Sequence, residues 1–213
     1  MTIKKTGNGN IIGKIRTAID DIVPSGVTDS FTDDTDNELW QAVQQAVMTL
    51  LVELPIALLD PSSKTGTDGV AGNDDGSGLI VLDDDFLRFV SLKLTTWNSP
   101  VYSLIEPGSD EEMRQRTSWG RGTPDKPKVM LDHGVSSSAT KKVLKYWTAG
   151  KANGQYSHII DRLYYILVPD MSEDVFDCAL KEAAESTLIN LAASIFFEGK
   201  KEHDTAEKFK ALQ

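Results

Sequence analysis

Leu79–Trp97 reads LIVLDDDFLRFVSLKLTTW, and the fold turns on its periodicity. Val90, Leu92 and Leu94 alternate with Ser91, Lys93 and Thr95, the two-residue repeat of a strand with one buried face. Leu79–Leu82 is a shorter apolar run that also reads as a strand. Asp83, Asp84 and Asp85 stand between the two. Neighbouring side chains on an extended chain point to opposite faces, so at most two of these carboxylates could meet one ion, and the triplet reads as a turn.

Working towards the C-terminus, NSP (98–100) turns the chain and VYSLI (101–105) reads as a strand pairing back. KVMLD (128–132), KVLKYW (142–147) and RLYYILV (162–168) are further strand candidates. Glycine- and serine-rich turns, SSSAT (136–140) among them, separate these strands. SDEEMRQRTS (109–118) reads as a short capped helix.

Both flanks carry helical spacing instead. Ile11, Ile12, Ile15, Ile19 and Ile22 recur on one face, with Pro24 and Gly26 as the stop. The polar connector VTDSFTDDTDNE (27–38) ends in an expected capping box, Thr35 with Glu38. Leu39, Trp40, Val43, Val47, Leu50 and Leu51 then form an apolar face up to about Leu54, where Pro55 ends the helix. After Pro169, Ser172 is expected to cap a long helix with Glu173 and Asp174 in its first turn. That helix would bury Val175, Phe176, Ala179, Leu180, Ala183, Leu188, Leu191, Ala192 and Ile195, and TAEKFKALQ (205–213) adds a short last one.

This order predicts an α+β protein: a helical bundle built from the N- and C-terminal segments, with an inserted antiparallel β-sheet and long loops. The expected divisions are a flexible arm (1–10), the first part of the helical base (11–59) and an acidic flexible loop (60–78). A β-rich insertion (79–168) and the second part of the base with its tail (169–213) follow.

At 213 residues, with 40% hydrophobic and 25% charged residues, the chain has enough apolar material for a core. A net charge of −10 argues against gripping nucleic acid, which needs a basic surface. Cys178, the single cysteine, lies in an apolar stretch and reads as an inert thiol, with no disulfide framework and no zinc site. The first residues lack the apolar run of a signal peptide, and VMTLLVELPIALL (47–59) is broken by Glu53 and Pro55, so no membrane association is expected.

Gly66–Gly78, GTDGVAGNDDGSG, has the composition of a calcium loop. It is one imperfect copy where calcium-binding nonapeptides come in series. Counted from Asp68, it also lacks the sixth-position glycine and closing glutamate of an EF-hand. A calcium-stabilised extracellular binding module using this loop is the alternative reading, and a solvated loop is the favoured one. His133, His158 and His203 show no zinc spacing, and GRG (120–122) lacks the strand and helix of a phosphate loop. A hydrolase built on Asp83–Asp85 and His158 has no nucleophile motif to support it. No catalytic residue, cofactor or metal is expected.

Residues 60–85 hold seven aspartates against one lysine, whereas residues 111–151 hold nine Lys/Arg against four acids. Opposite lobes suit head-to-tail contacts between copies, which close into rings. The candidate contact residues are Asp74, Asp75, Asp84, Arg88, Arg114, Arg116 and Arg121. Phe197, at the end of SIFFEGKK (194–201), and Phe209 are added as candidate partner-binding phenylalanines.

At LIVLDDDFLRFVSLKLTTW the chain resembles the head–tail connector (neck ring or adaptor) proteins of tailed bacteriophages, particularly those of crAss-like podoviruses. SPVYSL, the short acidic-to-basic helix, KPKVML, LYYILVP and an alanine-rich C-terminal helix follow in the same order, so the resemblance spans about Ile11 to Phe197. It implies a structural virion protein, made in the bacterial cytoplasm, with no catalytic residues. It implies a closed ring of this chain, usually of twelve copies, joining the portal protein to the next neck or tail ring. DNA would pass through the channel without sequence-specific binding.

Overall fold

A computed structural model describes residues 1–22, 33–117, 119–136 and 139–212. The architecture is mixed α+β, with N-terminal helices packing against C-terminal ones and antiparallel sheets inserted between them in sequence. Two compact units result: Met1–Asp60 together with Val168–Gln213, and Pro61–Leu167.

In the first unit, helix α1 (Ile11–Ile22) buries Ile11, Ile12, Ile15 and Ile19, the predicted isoleucine face. Helix α2 (Asp33–Glu53) buries Leu39, Trp40, Val43, Val47, Leu50 and Leu51 and stops two residues before Pro55. Thr35 lies inside this helix and therefore is not its cap, because the helical backbone already begins at Asp33. The expected stop at Pro24 and Gly26 and the first half of the 27–38 connector fall outside the described residues.

The arm at 1–10 is not a free end. Thr2–Lys4 forms strand β1, which pairs antiparallel with a strand at Val175–Asp177 in the register Ile3 to Phe176. Ile3 and Phe176 are both buried, and Phe176 packs 5.6 Å from the Trp40 ring. The same pairing corrects the C-terminal reading: Val175–Asp177 is extended rather than helical, with only Phe176 turned inward. The long helix starts later, as α4 (Glu185–Gly199), and buries Leu188, Ala192, Ala193, Phe196 and Phe197. It packs on α1, on α2 and on the short final helix α5 (His203–Lys210).

The second unit holds the larger sheets. Residues 60–78, read as a loop, contain strands β2 (Ser62–Gly66) and β3 (Val70–Gly72). Next come β4 (Gly78–Val81), β5 (Phe86–Leu94) and helix α3 (Asp110–Gln115). The remaining strands are β6 (Val129–Ser136), β7 (Ala139–Tyr146), β8 (Lys151–Ala152), β9 (Gln155–Tyr156) and β10 (Ile160–Leu167), so that Val175–Asp177 is β11. One sheet runs β2-β10-β5 and another β3-β4-β7-β6, with β8-β9 as a small hairpin. All strand pairs are antiparallel.

Inward residues of both larger sheets form one core: Ile80, Leu144 and Tyr146 from one, Leu92, Leu94 and Leu163 from the other, with Trp97 beside them. Asp83–Asp85 turns the chain between β4 and β5, the Phe86 amide donating to the Asp83 carbonyl at 3.1 Å. VYSLI does not form the expected strand. Val101 makes a single two-bond bridge to Leu92, and Ile105 a parallel bridge to Met130. Within SSSAT, Ser137 and Ser138 fall outside the described residues.

Candidate interaction surface

Ser109 caps α3 as its sequence foretells, its Oγ accepting from the Glu112 amide at 3.2 Å. Glu112 reaches back, Oε2 accepting from the Gly108 amide at 2.7 Å and Oε1 from Arg116 at 2.8 Å. These bonds, the Gly108 amide first, hold its carboxyl below the usual glutamate range. So anchored, α3 delivers Gln115 to the interior, where it is 2% exposed.

Gln115 is the hub of the loop that follows. Its Oε1 accepts from the Gly122 amide at 2.7 Å, and its Nε2 donates to the carbonyls of Glu111 (3.3 Å) and Gly120 (3.4 Å). Gly120 has to be glycine here, since a Cβ would sit 2.8 Å from the Arg114 carbonyl oxygen. The loop is thus drawn tight around one amide side chain. Trp119 is left at its surface, 99% exposed.

Both signs of charge lie beside α3, with Asp110 and Glu111 among the cations. Arg114, Arg121, Lys126 and Lys128 line one cleft of about 440 Å³ beside α3. Lys128 pairs with Glu111, and Arg121 reaches the Asp75 carboxylate at 3.4 Å and its carbonyl at 3.2 Å. Arg114 and Lys126 hold no ion pair among the described residues.

Asp75 belongs to the stretch that resembles a calcium loop. Its carboxylate is committed elsewhere: Oδ1 accepts from the Ser77 hydroxyl (2.5 Å) and amide (2.9 Å). Those bonds, then Arg121, hold its carboxyl below the usual aspartate range. Gly76 follows at φ +83°, a backbone that favours glycine, and a Cβ there would meet the Tyr156 ring at 2.8 Å. Among the described residues, no three His, Cys, Asp or Glu side chains gather as a metal site.

Of the predicted contact residues, the structure brings together Asp75, Arg114 and Arg121. Arg116 is exposed near them and paired with Glu112. Asp74 is exposed on the β3–β4 turn, lining a separate cleft with His158 and Lys151. Asp84 lies in the β4–β5 turn, 3.6 Å from Lys141, and Arg88 is half-buried and engaged on β5. Phe197 and Phe209 are corrected outright. They are 2% and 0% exposed and stack on each other at 5.8 Å, so they form core rather than surface.

Trp119 and Gln115 were missed by the sequence reading. A signal existed: Trp119 stands in RQRTSWGRG with no apolar residue within five positions on either side. A tryptophan without apolar neighbours at strand or helix spacing has no local face to join. His158 is structural. The Asn73 carbonyl can only accept from Nε2 (3.1 Å), which leaves Nδ1 to accept from the buried Tyr146 hydroxyl at 2.8 Å. Burial pushes the Cys178 thiol up, as suits an unreactive group.

Two expected results follow from this geometry. Gln115→Leu should lower stability by about 1–3 kcal/mol, because the Gly122 amide loses its partner, and should make the 116–122 segment more sensitive to trypsin. Urea unfolding and limited proteolysis measure the two effects. Asp75→Asn tests the charge. Since folding depresses the Asp75 pKa, its stabilisation is complete above the unfolded value near 3.8 and fades as pH falls through the folded value. The variant should therefore flatten the loss of stability between about pH 5 and pH 2, by less than about 1 kcal/mol for so exposed a pair.

Compared with known proteins, the chain matches no family model and no curated protein. Among the described residues, no helix is long and apolar enough to cross a membrane.

Proposed function

We propose that this chain is a structural subunit of the neck of a tailed bacteriophage, one copy of a ring that joins the portal to the tail and continues the DNA channel. The observation that carries the reading is the division of charge between the two units. The helical unit holds nine Lys/Arg against nineteen Asp/Glu, and therefore the whole net charge of −10; the β unit holds thirteen of each. Four of the β unit's thirteen cations, Arg114, Arg121, Lys126 and Lys128, line one cleft beside α3, and Trp119 in the same segment is 99% exposed. An acidic surface and a basic anchor on one chain support a protein whose work is contact with copies and partners, with no catalytic step.

The reading assigns the helical unit to the body of the ring and the loops to neighbouring components. An acidic lumen would repel DNA enough to let it slide. The test is mass measurement of the purified chain alone and mixed with the portal protein of the same genome. Co-assembly in multiple copies is expected. A chain that ignores portal and is encoded away from capsid and tail genes would end the proposal.

A further inference from the structure

The outer face of the sheet β2-β10-β5 carries a small cleft of about 170 Å³. Ser91 and Lys93 of β5 line it with Arg162 and Tyr164 of β10, and Tyr102 closes its other side. The register explains the arrangement. Tyr164 stands opposite Ser91 across the ladder, and Val101, bridged to Leu92 on the free edge of β5, brings Tyr102 level with Ser91 from the other side. Two tyrosines thus flank one serine. Adjacent strands lie about 4.8 Å apart, so the tyrosines stand about 10 Å apart with a residue too short to fill the gap between them. At contact distances of about 3.5–4 Å from each wall, that gap takes one planar ring. At its bottom, Ser91 is 6% exposed and its hydroxyl holds no hydrogen bond among the described residues. The tyrosine hydroxyls hold none either, and Tyr102 is 73% exposed.

Lys93 and Arg162 stand directly opposite each other, and like charges so placed weaken a sheet. A bulge between Ile160 and Arg162 sets both Asp161 and Arg162 against Lys93. One Asp161 oxygen answers both cations, Lys93 at 3.2 Å and the Arg162 Nε at 3.6 Å. One positive charge is left over, and the terminal nitrogens of Arg162 hold no partner among the described residues. We propose that this cleft binds one nucleoside 5′-monophosphate unit, free or within a single strand, with its base between Tyr102 and Tyr164 and its phosphate on Lys93 and Arg162. The spacing selects this chemistry. The cations lie two residues along the strands from the tyrosine slot, about 6.7 Å, which suits a phosphate held off from its base by a ribose. The carboxylate of an acidic sugar is bonded straight to its ring and falls short. An arginine fork with its end free fits phosphate oxygens, and the Ser91 hydroxyl offers the base a donor and an acceptor. The chain's charge of −10 does not oppose this, because the β unit holds as many cations as acids. Tyrosine stacks on any base, so the site reads no sequence.

The experiment uses the full chain and adenosine 5′-monophosphate. Isothermal titration is expected to give a dissociation constant below about 1 mM, with adenosine and inorganic phosphate each at least about tenfold weaker. Tyr102→Ala and Arg162→Gln should each weaken binding at least about fivefold, while Tyr102→Phe keeps the ring and binds as the wild type does. Both positions are exposed, so far-UV circular dichroism should be unchanged in all three variants. Lys208→Gln removes one exposed charge outside the cleft and should leave the affinity as it is. Fluorescence anisotropy with a labelled single strand of about twenty nucleotides separates the two sources. Tighter binding than the monophosphate assigns the site to single strands, and equal or weaker binding to the free nucleotide. The proposal is overturned by no binding at about 5 mM monophosphate, or by wild-type affinity in Tyr102→Ala or Arg162→Gln. A duplex held as tightly as the single strand, or a preference for oligogalacturonate, would overturn it too. None of these results touches the neck reading, which co-assembly with portal decides.

Discussion

Replacing Trp97 with alanine is expected to lower stability by about 3–5 kcal/mol, a large share of what a domain of this kind has. The indole is 2% exposed and sits where the two larger sheets of the β unit pool their inward side chains. It meets the Tyr146 ring edge to face at 6.1 Å, and its Nε1 donates to the Thr148 carbonyl at 2.6 Å. Alanine would leave a cavity between rigid strands, which cannot collapse as a surface loop can, and would strip the carbonyl of its donor. Guanidinium unfolding should show a lower midpoint, and near-UV circular dichroism a loss of the aromatic signal. Trp97→Phe separates the two contributions: it keeps most of the packing, loses the hydrogen bond and should cost about 1–2 kcal/mol. An unchanged midpoint for Trp97→Ala would mean that the sheets do not depend on this ring.

The consequence reaches the interaction surface. Next to Trp97, the Asn98 amide donates to the Pro124 carbonyl at 3.1 Å, and Asn98 also bonds Asp125. These bonds fasten the far end of the segment that begins at α3 and carries Trp119. A core residue in β-sheet packing therefore helps fix the position of the exposed tryptophan, and the alanine variant should loosen that segment to protease along with the core.

How much of this could be read in the sequence depended on the range of the interactions. The isoleucine spacing of α1, the broad face of α2 and the Ser109 cap are local patterns that appear in the structure; of the β5 alternation, Val90, Leu92 and Leu94 are buried as read, but Ser91, read onto the other face, is buried as well. Local pattern failed where a partner lies far along the chain. Val175–Asp177 carries the apolar density of a helix, yet it pairs with Thr2–Lys4, some 170 residues away. Nothing in VFD announces that partner. The polar strand Ser62–Gly66 was hidden for a related reason: it buries almost no side chain and is held by backbone bonds to β10. Of the candidate surface, Arg114, Arg121 and Asp75 were named from the charge runs, and members of the two runs meet within one chain, Arg121 with Asp75 and Lys141 with Asp84. The role of Gln115 was not, because a glutamine's value as a hub depends on three backbone groups that only the folded loop brings within reach.

Phe209→Ala is expected to cost about 3 kcal/mol or more, and to do so by releasing α5 rather than by hollowing a core. An eight-residue helix is too short to persist alone. Only Ala206 and Phe209 of α5 are buried, and Phe209 lies flat on Phe197, the two rings 11° from parallel. Phe197 in turn meets Phe196 edge to face at 5.3 Å, so the stack runs from α5 into the C-terminal end of α4. Beyond this stack α5 is held by polar contacts that are individually weak at a surface: Lys210 with Glu198, and Asn190 donating to the Leu212 carbonyl at 3.1 Å. With the ring gone, residues 203–212 should become open to trypsin at Lys208 and Lys210, and helical circular dichroism should fall by about two turns' worth. The same variant decides between two roles for Phe209. A surface anchor would leave the unfolding midpoint untouched and weaken association with a partner. A ring that holds its own last helix should lower the midpoint and open α5 to protease together.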